Sequence, residues 1–65
     1  MSIKNNISII IRLSNGDEVN AFQNFYSKVF DIYHNGEFIN LPISWLNEDE
    51  TCFIDPHLKI KYYVV

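Results

Sequence analysis

"NAFQNFYSKVFDIYHNG", residues 20–36, decides the fold, because it satisfies two incompatible patterns at once. Taken as a helix, Phe22, Phe25, Tyr26, Val29, Phe30 and Tyr33 fall at i, i+3, i+4, i+7, i+8 and i+11, the spacing of a single apolar stripe. The opposite side then holds Gln23, Asn24, Ser27, Lys28, Asp31 and His34, and Ile32 alone breaks the division. Asn20 followed by Gln23 reads as a capping box, and Gly36 stands where a left-handed residue closes a helix. Taken as strands, "VFDIY" and "EFINL" flank Asn35-Gly36, a hairpin signal. Val29 and Phe30 would then point to opposite faces, and both faces would need cover. The apolar stripe favours a helix over about residues 21–34.

Outward from this segment the chain reads as extended. Ile7, Ile9, Ile11 and Leu13 alternate with Ser8, Ile10 and Arg12, a period-2 strand. Asn15-Gly16 follows, suited to a type I′ turn into a short strand at about 17–20. After Gly36, "EFINL" runs to Pro42, "PISWL" suits one helical turn with Pro42 at its first position, and "NEDE" is a loop. "TCFI", residues 51–54, is a short strand, and Asp55-Pro56-His57 a turn. The closing "LKIKYYVV" sets Leu58, Ile60, Tyr62 and Val64 on one face and Lys59, Lys61, Tyr63 and Val65 on the other. The expected architecture is one α+β domain over residues 1–65. One amphipathic helix packs on a mostly antiparallel sheet of four to five strands, with the first and last strands long and central. An all-β small barrel is the alternative if 21–34 is not helical.

Sixty-five residues hide only about 60% of their unfolded surface, so stability is marginal. Five Phe, four Tyr and one Trp supply more aromatic surface than one small core readily covers. Cys52 is the sole cysteine, which excludes an intrachain disulfide and leaves a zinc site without its thiolates. The single thiol and the absence of a signal peptide predict a cytoplasmic location. The most apolar run, residues 7–13, is far short of the about 20 residues a membrane span needs. The abundance of Asn and Ile suits an AT-rich genome.

Net charge is −3, unevenly spread. All eight carboxylates lie from Asp17 to Asp55 with one base, Lys28, among them, while Lys4, Arg12, Lys59 and Lys61 flank them. Catalysis has little to stand on. Cys52, His57 and Asp55 can be written as a nucleophile set, but the apolar neighbours of Cys52 predict an inert buried thiol. No enzyme activity, cofactor or metal is expected. Lys59, Lys61 and Tyr63, with Arg12 beside them, allow a weak single-stranded nucleic-acid module, against which stands a pI near 5.0. "SWLNEDET", residues 44–51, sets Trp45 before three carboxylates. Trp45 suits a core cap; it also suits a binding anchor.

The partner-binding candidates are Trp45, Glu48, Asp49 and Glu50, extended by Asp17 and Glu18. They predict a stand-alone factor that inhibits a larger enzyme or protein–nucleic acid complex by covering a basic surface, in the manner of phage or mobile-element proteins directed against host defence. A homodimeric accessory protein is the alternative.

Overall fold

Residues 20–36 form strand, turn, strand and turn, not a helix. The computed structural model describes residues 2–65, and no α-helix occurs among them. Six strands follow one another: β1 (Ser8–Arg12), β2 (Glu18–Asn24), β3 (Val29–His34), β4 (Glu37–Pro42), β5 (Cys52–Ile54) and β6 (Lys61–Val64). Single 3₁₀ turns lie at Ile3–Asn5 and Ile43–Trp45. All six strands join one antiparallel sheet in the order β4-β3-β2-β1-β6-β5. The sheet curls into a half-barrel. The expected α+β packing of a helix on four to five strands is thus replaced by an all-β fold.

The helical stripe fails because its members do not share an inside. Tyr26 is 100% exposed, Tyr33 73% and Phe22 58%, whereas Ile32, the residue that broke the stripe, is 0% exposed. Burial follows period 2 instead, with Ala21 inward on β2 and Phe30 and Ile32 inward on β3. Intrinsic preference agrees: in 21–34 only Ala21, Gln23 and Lys28 are strong helix formers, while Phe, Tyr, Val and Ile fit a pleated surface. The expected capping pair belongs to β2. Asn20 sits opposite Ile10, and Gln23 donates from Nε2 to the carbonyls of Lys4 and Asn6 at 3.0 and 2.7 Å.

Turn chemistry fixes the register. Asn35 and Gly36 have φ of 53° and 78°, the two left-handed residues of a type I′ turn, and His34 to Val29 pair with Glu37 to Pro42 without a break. At Asn15-Gly16 the outcome differs from the type I′ expectation. Only Gly16 is left-handed (φ 93°); Leu13 N–H donates to the Asp17 carbonyl and Gly16 N–H to that of Leu13. That is a three-residue loop with a left-handed closing residue. It leads into β2, which at seven residues is the longest strand rather than a short one. Between β2 and β3, Asn24 Oδ1 accepts the N–H groups of Tyr26 and Ser27, and Lys28 turns the chain at φ 60°.

The inner face collects Ile9, Ile11, Ala21, Phe30, Ile32, Leu41 and Phe53. Beyond β4 the 3₁₀ turn carries the chain across the open side, where Leu46 bridges to Phe53 and Asn47 N–H donates to the Cys52 carbonyl. The last strand is shorter than expected and lies between β1 and β5. Residues 55–60 form a turn closed by Asp55 N–H on the Ile60 carbonyl, with Lys59 at φ 61° and Leu58 exposed.

Ile32 and Tyr26 separate the two patterns in solution. Ile32→Ala is expected to cost about 2–5 kcal/mol in urea unfolding and Tyr26→Ala under about 0.5 kcal/mol. A helix carrying the 22–33 stripe requires the opposite order.

Candidate functional site

The segment 44–51 is built into the fold. Trp45 and Leu46 are half-buried and pack against the core. Asn47 organises the acidic turn: its Oδ1 accepts the N–H groups of Thr51 and Cys52 at 2.8 and 3.2 Å, and its Nδ2 donates to Thr51 Oγ1. Glu50 has a left-handed backbone (φ 58°) and turns its carboxylate onto the N-terminal segment. Its Oε2 accepts from the Ser2 hydroxyl at 2.7 Å and its Oε1 from the Ile3 N–H at 2.8 Å. Those two donors hold the carboxyl below its ordinary value. Of the three consecutive acids, Glu48 and Asp49 stay exposed at the turn tip.

Asp17 and Glu18 lie elsewhere. Asp17 meets His34 Nε2 at 3.2 Å, and Glu18 Oε2 takes Arg12 Nη2 at 2.7 Å and Nε at 3.2 Å. Glu18 opens β2, whereas Gln23, near its other end, binds the stretch that Glu50 clamps. The five residue steps from one to the other span about 17 Å of strand. The six candidate residues therefore form two sites at opposite ends of the half-barrel, not one acidic patch.

The other candidates resolve similarly. Cys52 is buried. Asp55 accepts the N–H groups of Leu58 and His57, which lower its pKa, so its carboxylate shapes the 55–60 turn. Burial pushes the Tyr62 phenol up, with the Asp55 charge adding to it. Lys59 sits in that turn rather than in a strand with Lys61 and Tyr63, and Arg12, opposite Tyr63, is paired with Glu18. No group of three His, Cys, Asp or Glu side chains with metal-holding geometry occurs among the described residues. No described helix is long and apolar enough to cross a membrane.

What the sequence did not single out is the outer face of the sheet. One row across β1–β4 is Ser8, Phe22, Asp31 and Asn40, each opposite the next. The neighbouring row brings Ile10 opposite Asn20 and Tyr33 opposite Phe38. Phe22, Tyr33 and Phe38, the last 62% exposed, border a cleft of about 440 Å³ with Val19, Asn20 and Asp31. The Tyr33 and Phe38 rings meet edge to face at 6.3 Å between centroids. Strand alternation is the signal that exposes this face: once Ala21, Phe30 and Ile32 go inward, Phe22 and Tyr33 must go outward. Comparison with protein families, with characterised proteins and with solved structures finds no match to this chain.

The Glu50 clamp makes a signed prediction. Its folded pKa is depressed, so its stabilisation is present above the ordinary value of 4.5 and is lost as pH falls through the lower folded value. In urea melts at pH 7 and pH 3, Glu50→Gln is expected to be less stable than wild type at pH 7 and to lose less on acidification. Equal acid sensitivity of the two proteins contradicts the clamp.

Proposed function

We propose that the protein works by binding, covering a basic surface on a larger protein or protein–nucleic acid complex and so inhibiting it. The observation that carries this is the exposed aromatic face of β1–β4. Large apolar side chains gathered on one solvated face of a sheet mark an interaction surface more often than a scattered few do. Size adds support. A standard interface takes about 800 Å² from each partner. The chain exposes 4576 Å² in all, so such an interface needs a whole face rather than one turn. Glu48 and Asp49 are two side chains on a separate turn tip.

Charge favours a basic partner. From Asp17 to Glu50 the sequence carries seven acids and one base, and strands β2 to β4 lie within that stretch. The same excess of negative charge disfavours a homodimer through this face, because two copies carry like net charge. Light scattering over a concentration series is expected to return the 7.7 kDa monomer.

Three tagged chains test the reading in extract from the native host. Wild type is expected to capture a stoichiometric basic partner, with salt-sensitive association. Phe22→Ser/Phe38→Ser is expected to lose it, and Glu48→Gln/Asp49→Asn to keep it with slower association. Absence of a stoichiometric partner overturns the binding function; the reverse ranking of the variants moves the interface to the 47–51 turn.

A further inference from the structure

The outer cleft combines aromatic walls with a single carboxylate. Asp31 stands between Phe22 on β2 and Asn40 on β4, half-buried, with Oδ1 accepting from Asn40 Nδ2 at 2.6 Å. That bond fixes the carboxylate and leaves Oδ2 without a partner among the described residues. Asn20 adds an amide oxygen, and no base lines the cleft. The Tyr33 and Phe38 rings, at 71° to each other, give two adjoining walls rather than one closed stack. Ring faces carry partial negative charge and attract organic cations, and a carboxylate beside the rings adds its own charge attraction. A neutral apolar ligand would have to strip water from Asp31 and leave it unsatisfied, which costs free energy. A phosphate or carboxylate ligand meets like charge. The composition of the cleft thus selects a cation with a flat, weakly hydrated head.

We propose that the cleft lined by Phe22, Asp31, Tyr33 and Phe38 is a recognition site for an arginine side chain on a basic protein segment. The guanidinium lies against Tyr33 or Phe38 and donates to Asp31 Oδ2, while Asn20 accepts a further N–H. Arginine is favoured over lysine because its planar head stacks on an aromatic ring and sheds water more readily than an ammonium. The site deepens the proposed function and rests on it only for the identity of the partner; the cleft itself is testable without one.

The test is a titration of ¹⁵N-labelled protein with three blocked tripeptides, Gly-Arg-Gly, Gly-Lys-Gly and Gly-Gln-Gly, followed by amide shifts. The arginine peptide is expected to move Asn20, Phe22, Asp31, Tyr33 and Phe38, with weaker effects from lysine and none from glutamine. Tyr33→Leu should weaken arginine binding about threefold. Asp31→Asn should weaken it about fivefold. Glu48→Gln/Asp49→Asn should leave it unchanged. Both cleft variants alter side chains on the solvated face, and their amide spectra verify folding. Equal shifts from arginine and lysine, or shifts spread over Glu48, Asp49 and Glu37, reduce the effect to plain charge attraction and overturn the site. No arginine shifts together with a partner still lost on Phe22→Ser/Phe38→Ser overturns the arginine site alone and leaves the binding face standing.

Discussion

Phe30 against Phe53 is the contact on which the architecture depends. The rings meet at 5.8 Å between centroids and 68° between planes, and both side chains are fully buried. Phe30 belongs to β3 and Phe53 to β5, with β2, β1 and β6 between them in the sheet. In a flat sheet four strand intervals hold those strands about 19 Å apart. The contact exists only because the sheet curls until its flanks face each other across the core. Curling is also the economical solution for 65 residues with no helix to lay on the apolar face, because the sheet covers itself. Ala21 makes room at the centre of β2, where a larger inward side chain would hold the flanks apart.

The curl explains why the acidic segment is structural. A half-barrel has an open side, and the chain crosses it through the Ile43–Trp45 turn, with Leu46 pairing to Phe53. Trp45 is therefore a lid on the core edge, and the turn after it must reverse tightly to bring Cys52 back as a strand. Asn47 supplies that reversal with four hydrogen bonds to Thr51 and Cys52 from its side chain and backbone. Glu50 then uses its charge on Ser2 and Ile3, and Ile3 packs against the core. Acids adjacent in sequence have different environments because a turn points its side chains in different directions.

Much of this is legible in the sequence, and the helical expectation fails for a physical reason. Alternation placed Ile9 and Ile11 inside, Pro42 ended β4, and Asp55 opened a turn. The helix over 21–34 came from six apolar residues at helical spacing, yet three loop residues, Phe25, Tyr26 and Ser27, separate two strands there with Lys28 closing the turn. A strand–turn–strand unit with a four-residue loop imitates helical periodicity when aromatic residues also occupy the loop and the outer face. Ile32 was the discriminating residue: a helix leaves it outside, a strand puts it beside Phe30 in the core. The two Asn-Gly pairs give the same lesson. Asn35-Gly36 makes the two-residue turn and Asn15-Gly16 a three-residue one, because the turn type depends on how many residues the flanking strands leave over, and the dipeptide alone does not carry that count.

The candidate site was hidden for the same reason. A sheet with one solvated face normally shows polar residues there, and Ser8, Arg12, Glu18, Asn24 and Asn40 conform. Phe22, Tyr33 and Phe38 do not: their rings lie outside the core, and Tyr33 and Phe38 meet edge to face. Such residues weaken solubility and offer an exposed surface for aggregation unless a partner covers them. Asp31 limits that hazard. A half-buried carboxylate among the rings makes non-specific apolar contact costly, since any ligand that excludes water must also satisfy its free oxygen. A carboxylate among the rings thereby raises the cost of indiscriminate apolar contact and favours a ligand that can donate to it, which is the physical ground for reading the cleft as a proposed site rather than as surplus aromatic surface.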